Sequence, residues 1–395
     1  MKKGWLWKPL GEVFKTGSGG TPLSSRKEYY EGGNIPWLVS GEVAQGNVRE
    51  AKNFITKAGL ENSAAKLFPT DTVLVAMYGA TAGQVGILRF EAATNQAVCG
   101  IFPNDKFVPE FLFYFLLAKK DELVAQATGN AQPNISQIKI KNTEVPVPPL
   151  AEQQRIVGLL DEAFEGLATA KANAEKNLQN ARALFESHLN DVFTKKGDGW
   201  LETTIGGVCD FRGGGTPSKA VERYWKGKIP WVSPKDMKSE IVSDSIDHIS
   251  QEAIDASATS LIPKGAVLMV VRSGILARIV PLAVTGRELT INQDLKALCP
   301  KSVIESRFLY NLLESKMPEL LSLVSRGATV HRLQTEQIRS LGCFLPPKAE
   351  QHQIIERIDS MRDETQRLAR LYERKQAALE ALKKSLLHQA FTGEL

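Results

Sequence analysis

The chain has 395 residues, is 43% hydrophobic and 24% charged, and carries a formal net charge of +5 at pH 7. That balance is ordinary for a folded globular protein. No stretch approaches the roughly 20 uninterrupted apolar residues of a membrane span, and Met1-Lys2-Lys3-Gly4-Trp5 is not followed by the apolar core of a secretory leader, so no membrane association and a cytoplasmic location are expected.

The elements come twice. Gly4-Trp5-Leu6 returns as Gly199-Trp200-Leu201 and Gly20-Thr21-Pro22 as Gly215-Thr216-Pro217, both 195 positions later. Pro148-Pro149 with Glu152-Gln153 returns as Pro346-Pro347 with Glu350-Gln351, 198 positions later. Solenoid repeats are far shorter, roughly 20 to 50 residues, so each copy is long enough to hold a domain with its own core.

In chain order, each copy opens on a glycine-rich segment, Gly17 to Pro22 and Gly213 to Pro217, whose composition reads as turns. Ile35-Pro36-Trp37 and Ile229-Pro230-Trp231 follow as short strands. The apolar runs Thr72 to Met77 and Ala266 to Val271 have the length of buried strands. Each ends in a polar, glycine-containing loop, Tyr78-Gly79-Ala80-Thr81 and Arg272-Ser273-Gly274. An Asn-Gln pair comes next, Asn95-Gln96 and Asn292-Gln293. Phe111 to Leu117 and Phe308 to Leu313 then read as short core helices, which makes each domain mixed α/β.

After the paired prolines the pattern changes. Glu152 to Phe193 contains no proline, and small or apolar residues recur three and four apart at Ile156, Leu160, Ala163, Leu167, Ala170, Ala174, Ala181 and Leu184. The second copy keeps the register at Ile354, Ile358, Met361, Thr365, Leu368, Tyr372, Leu379 and Leu382. Such a stripe over four heptads predicts a long helix in search of a partner, roughly 60 Å for about 40 residues. The natural partner is the duplicate, giving an antiparallel two-helix coiled coil between two similar domains with pseudo-twofold symmetry. The expected boundaries are residues 1–149 for the first domain, 150–198 for the central helix, 199–347 for the second domain and 348–395 for the distal helix. Leu159, Phe164, Leu178, Phe185, Ile355 and Leu387 lie off this stripe and are expected to face outward.

Residues 1–149 and 199–345 each hold an excess of three positive charges, whereas 150–198 is negative by two and 346–395 positive by one. The mild positive excess on the globular parts suits a polyanion. Cofactor and metal chemistry find no support. Cys99, Cys209, Cys299 and Cys343 form no C-x-x-C pair and read as free buried thiols. The five histidines make no ligand pair, Gly227-Lys228 lacks the hydroxyl residue of a phosphate loop, and Val147-Pro148-Pro149-Leu150 lacks the aromatic residue of an amino-methyltransferase motif. The chain reads as one that binds and positions.

The duplicated Gly-Thr-Pro turn, Ile-Pro-Trp strand, Asn-Gln pair and Pro-Pro-x-x-Glu-Gln-x-x-Ile helix start, together with the end Ala390-Phe391-Thr392-Gly393-Glu394-Leu395, resemble the specificity subunit of type I restriction-modification systems over essentially the whole chain. The resemblance implies two target-recognition domains reading a bipartite, asymmetric site in double-stranded DNA. It also implies a helical ruler that docks two methyltransferase subunits, restriction subunits held through them, and no catalytic centre, cofactor or metal in this chain. Two other readings stay open: the specificity subunit of a compact enzyme whose partner chain both methylates and cleaves, and a duplicated coiled-coil adaptor that binds no DNA.

Two modules spaced by about one turn of DNA, roughly 34 Å, can read separate half-sites. Loops that differ between copies are the candidates for reading: Tyr78, Thr81 and Gln84 in the first domain, Arg272, Ser273 and Arg278 in the second. Arg26 and Lys27, with Lys219 and Arg223, are candidates for phosphate contact, which fixes register without reading sequence. Asn95, Gln96, Asn292 and Gln293 are more simply turn caps, and Trp37 and Trp231 core residues. Ile156, Leu160, Leu167 and Leu184, with Ile354, Ile358, Leu368 and Leu379, are the expected helix-pair and docking residues.

Overall fold

A computed structural model describes residues 5–127, 134–327 and 329–395; Gly4 of the first repeated motif lies outside them. The chain forms two compact units, one of residues 1–174 with 373–395 and the other of residues 175–372. Each unit thus holds one α/β domain and a segment of each of two long helices, Leu150–Thr194 and Lys348–Thr392.

The two domains share one topology. In the first, a five-stranded sheet runs Thr16–Ser18, Val98–Ile101, Val73–Ala76, Val85–Leu88 and Asn47–Val48, antiparallel except for its last pair. In the second the order is Cys209–Gly213, Leu295–Pro300, Val267–Val270, Leu282–Thr285 and Ile241–Val242, again with a parallel last pair. The apolar runs read from the sequence are the centres of these sheets, and all six residues of each are buried, each large side chain contributing roughly 1.5–3 kcal/mol. Ile35–Leu38 and Ile229–Val232 each lie in a smaller sheet, antiparallel to one neighbour and parallel to the other. Pro109–Ala118 and Ser306–Ser315 are the expected core helices.

The glycine-rich segments are less turns than close-packed strand ends. A Cβ on Gly19 would lie 1.9 Å from the Thr94 carbonyl oxygen, and one on Gly214 would lie 2.0 Å from that of Ile291. Only glycine fits either place. Beside them, the indole nitrogens of buried Trp37 and Trp231 donate to the carbonyls of Gly20 and Gly215 at 3.0 and 2.9 Å, and the hydroxyls of Thr21 and Thr216 donate to the side-chain carbonyls of Gln96 and Gln293. The Gly-Thr-Pro and Asn-Gln motifs are therefore two sides of one clasp, made twice.

Within the first unit the long helices run antiparallel. Arg155, near the start of the central helix, donates to the Leu395 carbonyl at 3.0 Å, and Lys171 pairs with Glu380 at 2.8 Å. Ile156 and Leu160 share a buried core with Leu387 and Phe391. In the second unit Phe185 lies under the Arg362 guanidinium at 5.0 Å, while Leu189 and Phe193, further along, join Ile354, Ile355 and Ile358 in the domain core.

The expected stripe needs correction at its far end. Leu184 is 68% exposed and Leu382 47% exposed, whereas Leu178 and Phe185 turn inward and are half-buried, as is Phe164, which meets the Tyr114 ring edge-on at 5.4 Å. Ile355 packs against the second core and Leu387 is buried in the first. Of the residues expected to face outward, Leu159 does so, at 42% exposed. The remaining stripe residues are placed inward, with Ile156, Leu160 and Ile358 buried and Leu167, Ile354, Leu368 and Leu379 half-buried. The cause is a slip in period: inward positions run Ala170, Ala174, Leu178, Ala181 and Phe185, with two four-residue steps in succession, where a strict heptad alternates three and four.

Candidate nucleic-acid interface

In each domain the central strand runs out into a loop at the same point. The Met77 N–H donates to the Ala97 carbonyl at 2.8 Å and the Ile135 N–H to the Met77 carbonyl at 2.9 Å. In the second domain Val271 donates to Asp294 at 2.8 Å and Leu333 to Val271 at 2.9 Å. This shared backbone frame sets Tyr78 opposite Asn134 in one copy and Arg272 opposite Arg332 in the other. A short 3-10 turn follows in both, Gly79–Thr81 and Gly274–Ala277.

The loop residues divide by what holds them. Tyr78 is 40% exposed. The Thr81 hydroxyl is turned inward to the Tyr78 carbonyl at 3.1 Å, and Gln84 is half-buried beside the end of the strand. Ser273 caps the following turn by accepting from the Ile275 N–H at 3.3 Å, so its hydroxyl is already engaged. Arg272 is half-buried and its Nε donates to Asp294, whose other oxygen accepts from the Asn292 amide at 3.0 Å. Arg278 is exposed at the end of its turn.

The basic residues beside the glycine clasps are all exposed. Arg26 pairs with Glu28 at 3.1 Å, which raises its pKa, while Lys27 opens a 3-10 turn. Arg223 pairs with Glu252 at 2.8 Å and lies over the Tyr224 ring at 5.6 Å. Lys219 lines a shallow hollow with Glu222, Trp225, Trp231 and Asp247. Arg26 and Arg223 thus have carboxylate partners that a phosphate would have to displace.

Asn95 and Asn292 act as turn caps, accepting from the N–H groups of Ala97 and Asp294 at 3.1 and 3.0 Å. All four cysteines are buried, and burial pushes the thiol pKa values of Cys99 and Cys209 up to about 12. Among the described residues no group of histidine, cysteine and acidic side chains is placed to hold a metal ion, and no helix is long and apolar enough to cross a membrane.

Residues that sequence reasoning passed over include Asn134, Asp294 and Arg332. Their signal was present in the repeat, since Asn134 and Arg332 are 198 apart, but only the strand pairing places them beside Tyr78 and Arg272.

Residues 2–178 and 197–376 each match the family model described as the type I restriction modification DNA specificity domain. The chain is 30% identical over 365 residues to the type I restriction enzyme EcoR124I/EcoR124II specificity subunit of Escherichia coli, covering 89% of this chain and 85% of that one. It is 24% identical over 369 residues to the MjaIX specificity subunit of Methanocaldococcus jannaschii, covering 88% and 84%. Its fold is similar to a chain from a structure titled for complex assembly and conformational transition of the type I R-M system, with a TM-score of 0.82, 22% identity and coverage of 100% and 99%. It also resembles the HsdS subunit of Thermoanaerobacter tengcongensis, with a TM-score of 0.63, 21% identity and coverage of 100% and 98%.

Proposed function

Because the chain belongs to the family of type I restriction-modification specificity subunits, the non-catalytic components of those enzymes, we propose that its two domains, residues 1–149 and 199–347, each read one half of a bipartite, asymmetric site in double-stranded DNA. The observation that carries this reading is the shared backbone frame with unlike side chains: Tyr78 opposite Asn134 in one copy and Arg272 opposite Arg332 in the other. One scaffold offering two chemistries suits two different half-sites. The helices 150–198 and 348–395 space the domains and dock two methyltransferase subunits, through which restriction subunits join.

Phosphate contacts from Lys27, Lys219 and Arg278 supply affinity, with Arg26 and Arg223 exchanging their carboxylate partners for phosphate. The test is to co-express the chain with its partner methyltransferase subunit and to map the methylated bases in the host genome. A single new motif of two unlike halves separated by a fixed spacer is expected. No new motif, or a continuous one, would refute the reading; salt-insensitive or absent DNA binding would favour a protein adaptor instead.

A further inference from the structure

The ladder that carries Arg272 also opposes it directly to a second arginine. Arg272–Ser273 pairs antiparallel with His331–Arg332, in the register Arg272 to Arg332, and cross-strand partners project to the same face with Cβ atoms about 4.5–5.5 Å apart. Like charges in that relation are destabilising. On its other side Arg332 bridges Ser325 through backbone hydrogen bonds of 2.8 and 3.0 Å. Arg278 closes the turn that packs against the His331–Arg332 strand.

Asp294 is the carboxylate held against this arginine pair, through Arg272. Asp294 takes the Nε of Arg272 and is itself held by Asn292; Arg332 is exposed and has no ion-pair partner among the described residues. An arrangement so under-compensated is completed by an anion or by a strong acceptor edge.

Two kinds of acceptor differ in what they require. A phosphate needs charge, and Asp294 would only diminish it. A base edge needs orientation, because the bidentate fork to guanine O6 and N7 uses two N–H groups in one plane. Asp294 engages the Nε of Arg272 and leaves both terminal amino groups available, so it fixes the plane while sparing the fork. At the same place in the first domain stand Tyr78 and Asn134, and the residue in the position of Asp294 is Ala97. That copy can make no such fork.

We propose that Arg272 and Arg332 are the guanine-reading pair of the second domain and that Asp294 is the positioning residue which aims Arg272. This rests on the DNA-reading function proposed above and names a base that one half-site contains.

The experiment uses the full chain co-expressed with its methyltransferase, with genome-wide mapping of methylated bases. The wild-type motif should contain at least one G·C pair in the half-site assigned to the second domain by the variants. Arg272→Gln and Arg332→Gln should each relax a G·C position in that half, reducing discrimination by roughly 5- to 150-fold, with the other half unchanged. Asp294→Asn should relax the same position as Arg272→Gln. Arg332→Lys, which keeps the charge, should relax its position too; it decides the case if Arg332→Gln yields no folded protein. Uniformly slower methylation of an unaltered motif would mean backbone contact and would overturn the proposal, as would a motif lacking guanine and cytosine in that half. A wild-type complex with no bipartite motif would instead sink the underlying function.

Discussion

Gln153 and Gln351 show how a repeated residue earns its place. Both are fully buried near the starts of the long helices. Gln153 accepts from the Val108 N–H at 2.9 Å and donates to the carbonyls of Lys106 and Pro148 at 3.0 and 2.9 Å. Gln351 does the same with the Glu305 N–H and the carbonyls of Val303 and Pro346, each at 2.9 Å. One amide therefore pins the loop before the core helix to the start of the long one, and no shorter or singly polar side chain can satisfy all three groups. Gln351→Ala removes all three hydrogen bonds from a fully buried position, a loss on the order of 2–4 kcal/mol. Urea denaturation should show the midpoint of the second unit falling while the first holds; a loss under about 0.5 kcal/mol, the scale of a surface substitution, would contradict the assignment. The Pro-Pro-x-x-Glu-Gln pattern made the helix start legible in the sequence. What Gln351 grips was not, because all three partners are backbone groups and two of them lie more than 40 positions away.

The long helices were legible in length and partly in register. Both run 45 residues, Leu150–Thr194 and Lys348–Thr392, with starts and ends that keep the 198-residue offset. Their seam follows the expected stripe to Ala174 and Tyr372 and keeps Ala181 and Leu379, but its alternate positions move by one in both copies, so that Leu178 and Phe185 replace Leu184, and Gln376 and Lys383 replace Leu382 among the inward positions. A nearly straight helix drifts about 20° per heptad against a strict seven-residue repeat, and extrapolating the heptad placed one leucine of each copy on the wrong face. The shift leaves Leu184 and Leu382 exposed at equivalent places, with Leu159 and Leu371 also outward at 42% and 50% exposed. Exposed leucines on a helix otherwise rich in charge suit a protein partner. Leu184→Glu combined with Leu159→Glu should leave the melting temperature of each unit within about 2 °C, since neither side chain is buried and surface changes amount to roughly ±0.5 kcal/mol. The pair should abolish co-purification of the methyltransferase; full retention of that partner would exclude these faces from the dock.

At the scale of the whole molecule, the duplication is not an exchange of equivalents, because each domain has built its own joint to the helices. In the first unit Tyr114 donates to Asp161 and stacks edge-on with Phe164; burial first, and then the Asp161 contact, raise the phenol's pKa. In the second unit the corresponding positions are Asn311, Asp359 and Arg362. Arg362 is 8% exposed and donates to Asn311 and Glu314 at 2.8 and 2.7 Å, with Glu240 at 3.1 Å. Burial alone would lower its pKa, but the Glu314 hydrogen bond and the charges of Glu314 and Glu240 outweigh it and hold the value above the ordinary one. The neighbouring ion pairs are reversed as well: Glu110 accepts from Arg89 in the first unit, whereas Arg307, in its place, donates to Glu240 and Asp359 in the second. A chain carrying residues 1–147 in place of 199–345 would therefore set Tyr114 and Leu117 against Arg362, leaving a buried guanidinium without its acids. Breaking a buried pair on one side costs about 3–5 kcal/mol, enough to consume much of a domain's stability. Such a chimera should be recovered in low yield or unfold early, and adding Arg362→Phe should restore a cooperative melt by re-creating the aromatic edge of the first joint. Once folded and assembled with the methyltransferase, it should methylate a motif whose two halves are the same sequence. A stable chimera without the Arg362 change would show the joints to be interchangeable, and unlike halves in its motif would show that recognition does not travel with residues 1–147.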